Sequence, residues 1–322
     1  MVAETVGSAA ETPQLRVDLY RRMSLIRHAE LRVLQHVQGG DFGGLWHSGL
    51  GHEAIACGTA AALRGTDRLY ATHRGLGHVV AKGMSLEAVF GDILVRRLGS
   101  ARGKGAGTPH FADPAVGVMG FSGTLGGSFV LGAGSALAAT ILGRDEVTAV
   151  VFGDGASARG TFHEAALTAS TWKLPVVWIC ENNQWGASAP FAVHCPTETI
   201  AERAGAYGMP GAVVDGADAL AVHAAVRESV DRARDGGGPS LLELRTVRMH
   251  GHYAGDQQQY RDEKVQLDDP DRDPLPRMRS RVDAATADRL DRETAAEVQA
   301  AFDAILAAPT VGAEVIYEDV WV

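Results

Sequence analysis

Cysteine is scarce in this chain. Cys57, Cys180 and Cys195 are the only three among 322 residues, an odd number without metal or redox spacing, which fits a reducing cytosol. Basic blocks are missing as well: the formal net charge is −9 and the pI is near 5.7, so nucleic acid is not expected as a main partner. No apolar run approaches the ~18 residues of a membrane span. The first dozen residues are polar and acidic with no apolar h-region, so neither a signal peptide nor a membrane partner is expected. Internal repeats and low-complexity tracts are absent too. The expected location is cytoplasmic.

What the chain has in plenty is glycine, 39 residues in all, well above the usual share of about 7%. The glycines gather around turns and are not periodic, as in a globular chain with many backbone-tight sites. The length allows one large or two moderate domains. Apolar residues at helical spacing predict a helix over 12–37, stopped by Gly39-Gly40, and we read it as a packing helix. Further helices are expected over 51–63, 128–142, 217–234 and 282–306. Strands are expected over 67–72, 147–152, 176–180, 213–215 and 240–247, with 314–320 a terminal strand or partner-binding arm. Residues 268–276 are acidic and proline-rich, a connection. The run 96–127 is long and Gly-rich with little strand or helix pattern, which inside a compact domain points to a functional or disordered segment. Strands alternating with helices predict an α/β fold, a mainly parallel sheet with helices on both faces. One domain, 1–322, would carry an N-terminal helical arm (1–40) and a C-terminal helical tail (275–322).

The stretch 147–183 organises this pattern: strand, turn, helix, strand, turn. Its first turn, Gly153-Asp154-Gly155-Ala156-Ser157-Ala158, fits a loose G-x-G-x-x-A dinucleotide fingerprint. An Asp between the two glycines, however, would set like charge against a pyrophosphate. Asp154 needs a cation between it and the phosphate, and magnesium, with oxygen ligands from one or two side chains and the rest from phosphate and water, fits that need. Asn183 ends the next strand of the same parallel set, so one carboxylate and one amide oxygen would face the same ion.

The pattern GDGxxxxGxxHEA, then WKLPVV and ENNxxG, resembles the thiamine diphosphate motif of the 2-oxo acid dehydrogenase E1 α subunits, the pyruvate, branched-chain and acetoin dehydrogenase group. The likeness runs over roughly 17–274. It implies the thiamine diphosphate-binding fold, with thiamine diphosphate and Mg2+ as cofactors. Gly153, Asp154, Gly155, Ala156 and Asn183 would hold the diphosphate and metal. Trp185, where relatives usually carry tyrosine, would give the metal its backbone carbonyl. His47, in the Gly-rich loop before a GxEA helix start, matches an active-site histidine. Arg74 matches a diphosphate-binding arginine, and His73 stands where some members have tyrosine and many bacterial ones histidine. Gly123-Thr124-Leu125-Gly126 aligns with the turn that meets the aminopyrimidine, with Leu125 as the apolar wedge. Gly103-Lys104-Gly105 and Pro109-His110 resemble a further family segment; Lys104 does not make a P-loop, since the spacing is wrong. The loop from Arg248 to Arg261 resembles R-x-H-G-H…D…YR, so Arg248 would contact diphosphate and His252 would lie at the mouth of the site. Tyr253 replaces the serine of phosphorylation-regulated relatives, so no serine switch is expected there.

The resemblance implies decarboxylation of a small 2-oxo acid, or cleavage of acetoin, followed by acyl transfer to a lipoyl-bearing E2 or carrier protein. His47, His252 and His73 would be the proton-transfer groups. The activating glutamate would come from an E1 β subunit in an α2β2 assembly, leaving this chain inactive alone. Three alternatives stand beside this: ketol transfer from a sugar donor to a carrier, an NAD-dependent Rossmann dehydrogenase, and a non-catalytic scaffold subunit.

Overall fold

A computed structural model describes residues 11–40, 42, 44–105, 110–121, 123–261, 269 and 271–320. Its centre is a six-stranded sheet in which every pairing is parallel. The strands are β1 (Arg68–Ala71), β2 (Val118–Phe121), β3 (Thr148–Gly153), β4 (Val176–Asn182), β7 (Gly211–Asp215) and β8 (Ser240–Arg245), in the order β2-β1-β3-β4-β8-β7. A two-stranded hairpin, β5 (Trp185–Gly186) with β6 (Ala189–Pro190), stands apart. The order reverses between β1 and β3, and a crevice outside the carboxyl ends of strands at such a point is where open α/β sheets bind ligands.

Helices cover both faces because β3 and β4 are apolar on both. Val150, Phe152, Trp178 and Cys180 pack under α5 (Gly127–Ile141) and α6 (Gly160–Thr171), against Phe129 and Phe162. Alternate residues Ala149, Val151, Val177 and Ile179 pack under α8 (Ala219–Arg234) and α2 (Glu53–Ala62), against Val222, Val226 and Ile55. Period-2 alternation thus sorts one strand into two cores, as buried parallel strands require. An outer layer joins α1 (Pro13–Gln38), α3 (Leu76–Lys82), α4 (Leu86–Ile93), α9 (Pro274–Arg279) and α10 (Ala284–Ala307); Phe90 and Phe302 meet edge to face there, 5.1 Å apart. A short α7 (Phe191–His194) follows the hairpin. Thr12 caps α1, its hydroxyl accepting from the Leu15 N–H at 3.1 Å, with Pro13 at the first turn. No described helix is long and apolar enough to cross a membrane.

The fold expectation holds, and two details change. Residues 314–320 are not a strand: Ala313–Tyr317 forms a 3-10 turn, and Glu318 and Asp319 reach back to Arg97, Arg102 and Lys104. The apolar residues of that segment suggested a strand, but among the described residues no strand pairs with it, and its acidic groups form ion pairs with the basic loop. The run 96–127 contributes the short edge strand β2, and its residues 106–109, with Pro109 of the expected Pro109-His110 pair, lie outside the described residues.

Candidate functional site

Four strands deliver polar residues to one end of the sheet. β1 runs into Thr72-His73-Arg74, β3 into Asp154, β4 into Asn183, and β8 is followed by Arg248. The register Gly153↔Glu181 sets the ends of β3 and β4 side by side. A cavity of about 350 Å³ opens there, lined among others by Thr72, Leu125, Asp154, Asn183, Trp185 and His252.

Asp154 is only 2% exposed, and its Oδ2 has no hydrogen-bond partner. His194 Nε2 lies 3.5 Å away. Burial raises the Asp154 pKa, opposed by His194 and Arg248, so the site holds a carboxylate that lacks a full counter-charge. Asn183 is turned by its own backbone: its Oδ1 accepts the Trp185 N–H at 3.2 Å. Behind it, Asn183 Nδ2 lies 3.4 Å from His52 Nε2, His52 Nδ1 lies 3.3 Å from Glu181, and His78 Nε2 meets the same Glu181 oxygen at 2.8 Å. Burial pushes the Glu181 carboxyl up, but the imidazoles of His78 and His52 hold it well below its ordinary range. Gly155 meets a close approach: a Cβ there would sit 3.2 Å from Gly186 Cα, a tight contact where the hairpin folds over the turn.

Above this network stand two arginines and three histidines. Arg74 is buried; Nη1 donates to the Ser48 carbonyl at 2.8 Å, and Nη2 to His252 Nδ1 at 3.1 Å and the His252 carbonyl at 2.9 Å. Burial, aided by Arg248, lowers its pKa to about 10. Arg248 donates to the Ala187 carbonyl at 2.7 Å and the Tyr260 hydroxyl at 2.6 Å, leaving a buried Nε without a partner. The rings of His47, His73 and His252 lie 4.7 to 5.8 Å apart, with ligand atoms all within 4.8 Å. Burial lowers all three pKa values, helped by the arginines; for His252 the result is about 4. Their partners set two tautomers. His47 Nδ1 lies 2.7 Å from the His252 carbonyl, which can only accept, so its proton sits on Nδ1 and Nε2 keeps a lone pair. His252 Nδ1 accepts from Arg74, so its proton sits on Nε2. One ring offers a base and its neighbour a donor.

The sequence compares closely with known proteins at this point. The family model for the dehydrogenase E1 component matches residues 21–314. The chain belongs to the dehydrogenase E1 component family. The α subunit of an acetoin:2,6-dichlorophenolindophenol oxidoreductase from Bacillus subtilis is 44% identical, over 77% of this chain and 75% of its own. That from Cupriavidus necator is 41% identical over 100% and 99%. The pyruvate dehydrogenase E1 α subunit of Rhizobium meliloti is 36% identical over 82% and 76%. The chain is therefore an E1 α subunit, of a family that works with thiamine diphosphate, and the readings as a Rossmann dehydrogenase or a scaffold are set aside.

Within this E1 chain, the expected site residues divide into two groups. His73, Arg74, Leu125, Gly153, Asp154, Gly155, Ala156, Asn183, Trp185 and His252 line the cavity. Gly123, His47 and Arg248 do not: Gly123 is exposed beyond the rim, His47 touches the rings of His73 and His252, and Arg248 reaches the lining through Ala187. Sequence reading missed His52, His78, Glu181 and His194. Glu181 stands in the Glu-Asn-Asn turn itself, and a charged residue at the end of a wholly apolar strand was the signal for it. His194 carried none, because only the hairpin brings it to Asp154.

The α1 helix also does more than pack. Its Arg27 donates to Glu53 Oε1 at 2.6 Å and to Asp273 at 2.7 and 3.0 Å, all three groups buried, while Glu53 Oε2 accepts the Gly51 N–H at 2.9 Å. The loop carrying His47 is thereby fixed to helix, core and tail together.

Proposed function

We propose that this E1 chain binds Mg2+ and thiamine diphosphate at the cavity and, with an E1 β subunit in an α2β2 assembly, cleaves a small 2-oxo acid or acetoin and passes the acyl unit to a lipoyl or carrier-protein arm. The observation that carries this reading is Asp154: a buried carboxylate with an unpartnered oxygen, lining one cavity with Asn183. Such a group calls for a cation, and carboxylate plus amide oxygen is a hard, oxygen-donor set of the magnesium kind. The residues fit the group. Asp154 and Asn183 would give side-chain ligands and Trp185 its carbonyl; Arg74 and the free Nε of Arg248 would meet the diphosphate.

When bound, thiamine diphosphate supplies an electron sink for the carbanion next to a former carbonyl. The chain's own residues orient and move protons. His47 Nε2 can take a proton, and His252 Nε2–H can donate a hydrogen bond to an oxygen on which charge develops. Both rings are kept neutral by burial and the nearby cations. Leu125 at the rim gives an apolar support beside the cavity.

Leu125 at the cavity rim and Val130 and Leu131 on the first turns of α5 leave exposed apolar surface. An apolar surface of that kind marks a protein contact, and supports a β subunit that closes the site and brings the activating glutamate. Acetoin and pyruvate are the substrates to try first, since the relatives carry those names. The test is an assay of the chain with and without its natural β partner against pyruvate, branched 2-oxo acids, acetoin and ketose phosphates. Turnover of one of the first three only in the complex is expected; normal turnover by the chain alone would contradict the division of labour.

A further inference from the structure

Helix α1 lies in the outer layer, yet one of its carboxyls ends beside the cofactor arginine. Glu30 is 0% exposed; its Oε1 accepts the Gly49 N–H at 3.0 Å and its Oε2 is buried without a partner. A Cβ at Gly49 would fall 2.9 Å from Glu30 Oε1 and 2.8 Å from the Arg74 carbonyl, so carboxyl and arginine backbone close on the same glycine. One residue earlier, the Ser48 carbonyl accepts Arg74 Nη1 at 2.8 Å. A chain of contacts therefore runs from Glu30 through Gly49 and Ser48 to the guanidinium.

We propose that Glu30 is a positioning residue of the cofactor site, which holds the 48–49 turn against Arg74 and must stay uncharged for the diphosphate to bind tightly. The proposal rests on the thiamine diphosphate reading above. Among the described residues no cation forms an ion pair with Glu30. On its own helix, Arg27 is taken up by Glu53 and Asp273. From α2, Glu53 brings like charge. From the segment after β1, Arg74 is directed to Ser48 and His252. Burial accordingly pushes the Glu30 pKa up to about 8, with Glu53 adding to the rise and the Gly49 N–H, the Ser48 side chain and Arg74 opposing it. Near neutral pH the group is a carboxylic acid. Ionised, it becomes a second anion competing with the diphosphate for Arg74.

The experiment uses the α2β2 complex and titrates thiamine diphosphate with Mg2+ by calorimetry near pH 7 and about pH 9. A single charge added at this range weakens anion binding roughly tenfold. The unmodified complex is expected to lose about that factor between the two pH values, while Glu30→Gln, which keeps the acceptor for Gly49 but cannot ionise, loses less than about twofold. Independently of any variant, binding near pH 8.5 in buffers of different ionisation enthalpy should show net proton uptake that is absent near pH 7. Equal pH dependence in Glu30→Gln and the unmodified complex, or no proton uptake near pH 8.5, would overturn the role of Glu30. Failure of the unmodified complex to bind at any pH would instead strike the cofactor reading and the proposal with it.

Discussion

Arg74 holds His252 at two points, donating from one nitrogen to Nδ1 at 3.1 Å and to the carbonyl at 2.9 Å. One guanidinium thus sets both the position of the 252 loop and the tautomer of its histidine. Arg74→Gln removes the charge and leaves His252 Nδ1 free. Loss of charge-assisted bonds worth about 1.5–3 kcal/mol should weaken thiamine diphosphate by roughly tenfold to a hundredfold, read by calorimetry. The His252 pKa should rise from about 4 toward its ordinary value, read by imidazole NMR; an unmoved pKa would show that burial alone sets it.

The three-histidine cluster makes the cofactor-free chain sensitive to acid. Burial and neighbouring cations lower His47, His73 and His252 from the ordinary 6.5. A group whose folded pKa lies below its unfolded one contributes stability above the unfolded value and loses it as pH falls. Melting temperature should therefore drop as pH falls below about 6.5, and His252→Asn should reduce the slope. A slope left unchanged in His252→Asn would count against that histidine being held neutral.

Glu181 joins β4 to the helix-borne imidazoles of His52 and His78. Its pKa is depressed, so its contribution is present above the ordinary carboxylate value and is lost as pH falls below it. Glu181→Gln should cost about 1–3 kcal/mol in urea unfolding near pH 7, with a smaller penalty in acid. Since His52 lies behind Asn183, the variant should also weaken metal-dependent cofactor binding more than a surface Glu→Gln change does. A stability loss without any binding loss would mean that His52 does not support Asn183.

Much of the fold was legible because β3 and β4 are apolar on both faces and end abruptly in polar turns, which fixed the sheet type and placed Asp154 and Asn183 at one end. The charge of Asp154 then favoured a cation-binding turn over a dinucleotide turn as the reading. What stayed hidden depended on contacts distant in sequence. Nothing near Glu30 or Glu53 in the chain says that α1 secures the His47 loop, because buried charges on an amphipathic helix look like its solvated face. His194 reaches Asp154 only through the hairpin. The 314–320 segment has strand-like residues, yet it forms a 3-10 turn whose Glu318 and Asp319 meet Arg97, Arg102 and Lys104, contacts distant in sequence.

The metal reading turns on Asp154. Its raised pKa means that, without a metal, it stabilises the fold only while protonated, and that contribution is lost as pH rises through the folded value. Asp154→Asn should leave the metal-free complex as stable as the parent or more so near pH 7. The most direct measurement is calorimetric titration of thiamine diphosphate into the α2β2 complex, with Mg2+ and with chelator, for the parent and for Asp154→Asn. Magnesium-dependent binding by the parent and joint loss of magnesium and cofactor affinity in the variant are expected; unchanged affinity in Asp154→Asn would contradict the metal role of Asp154.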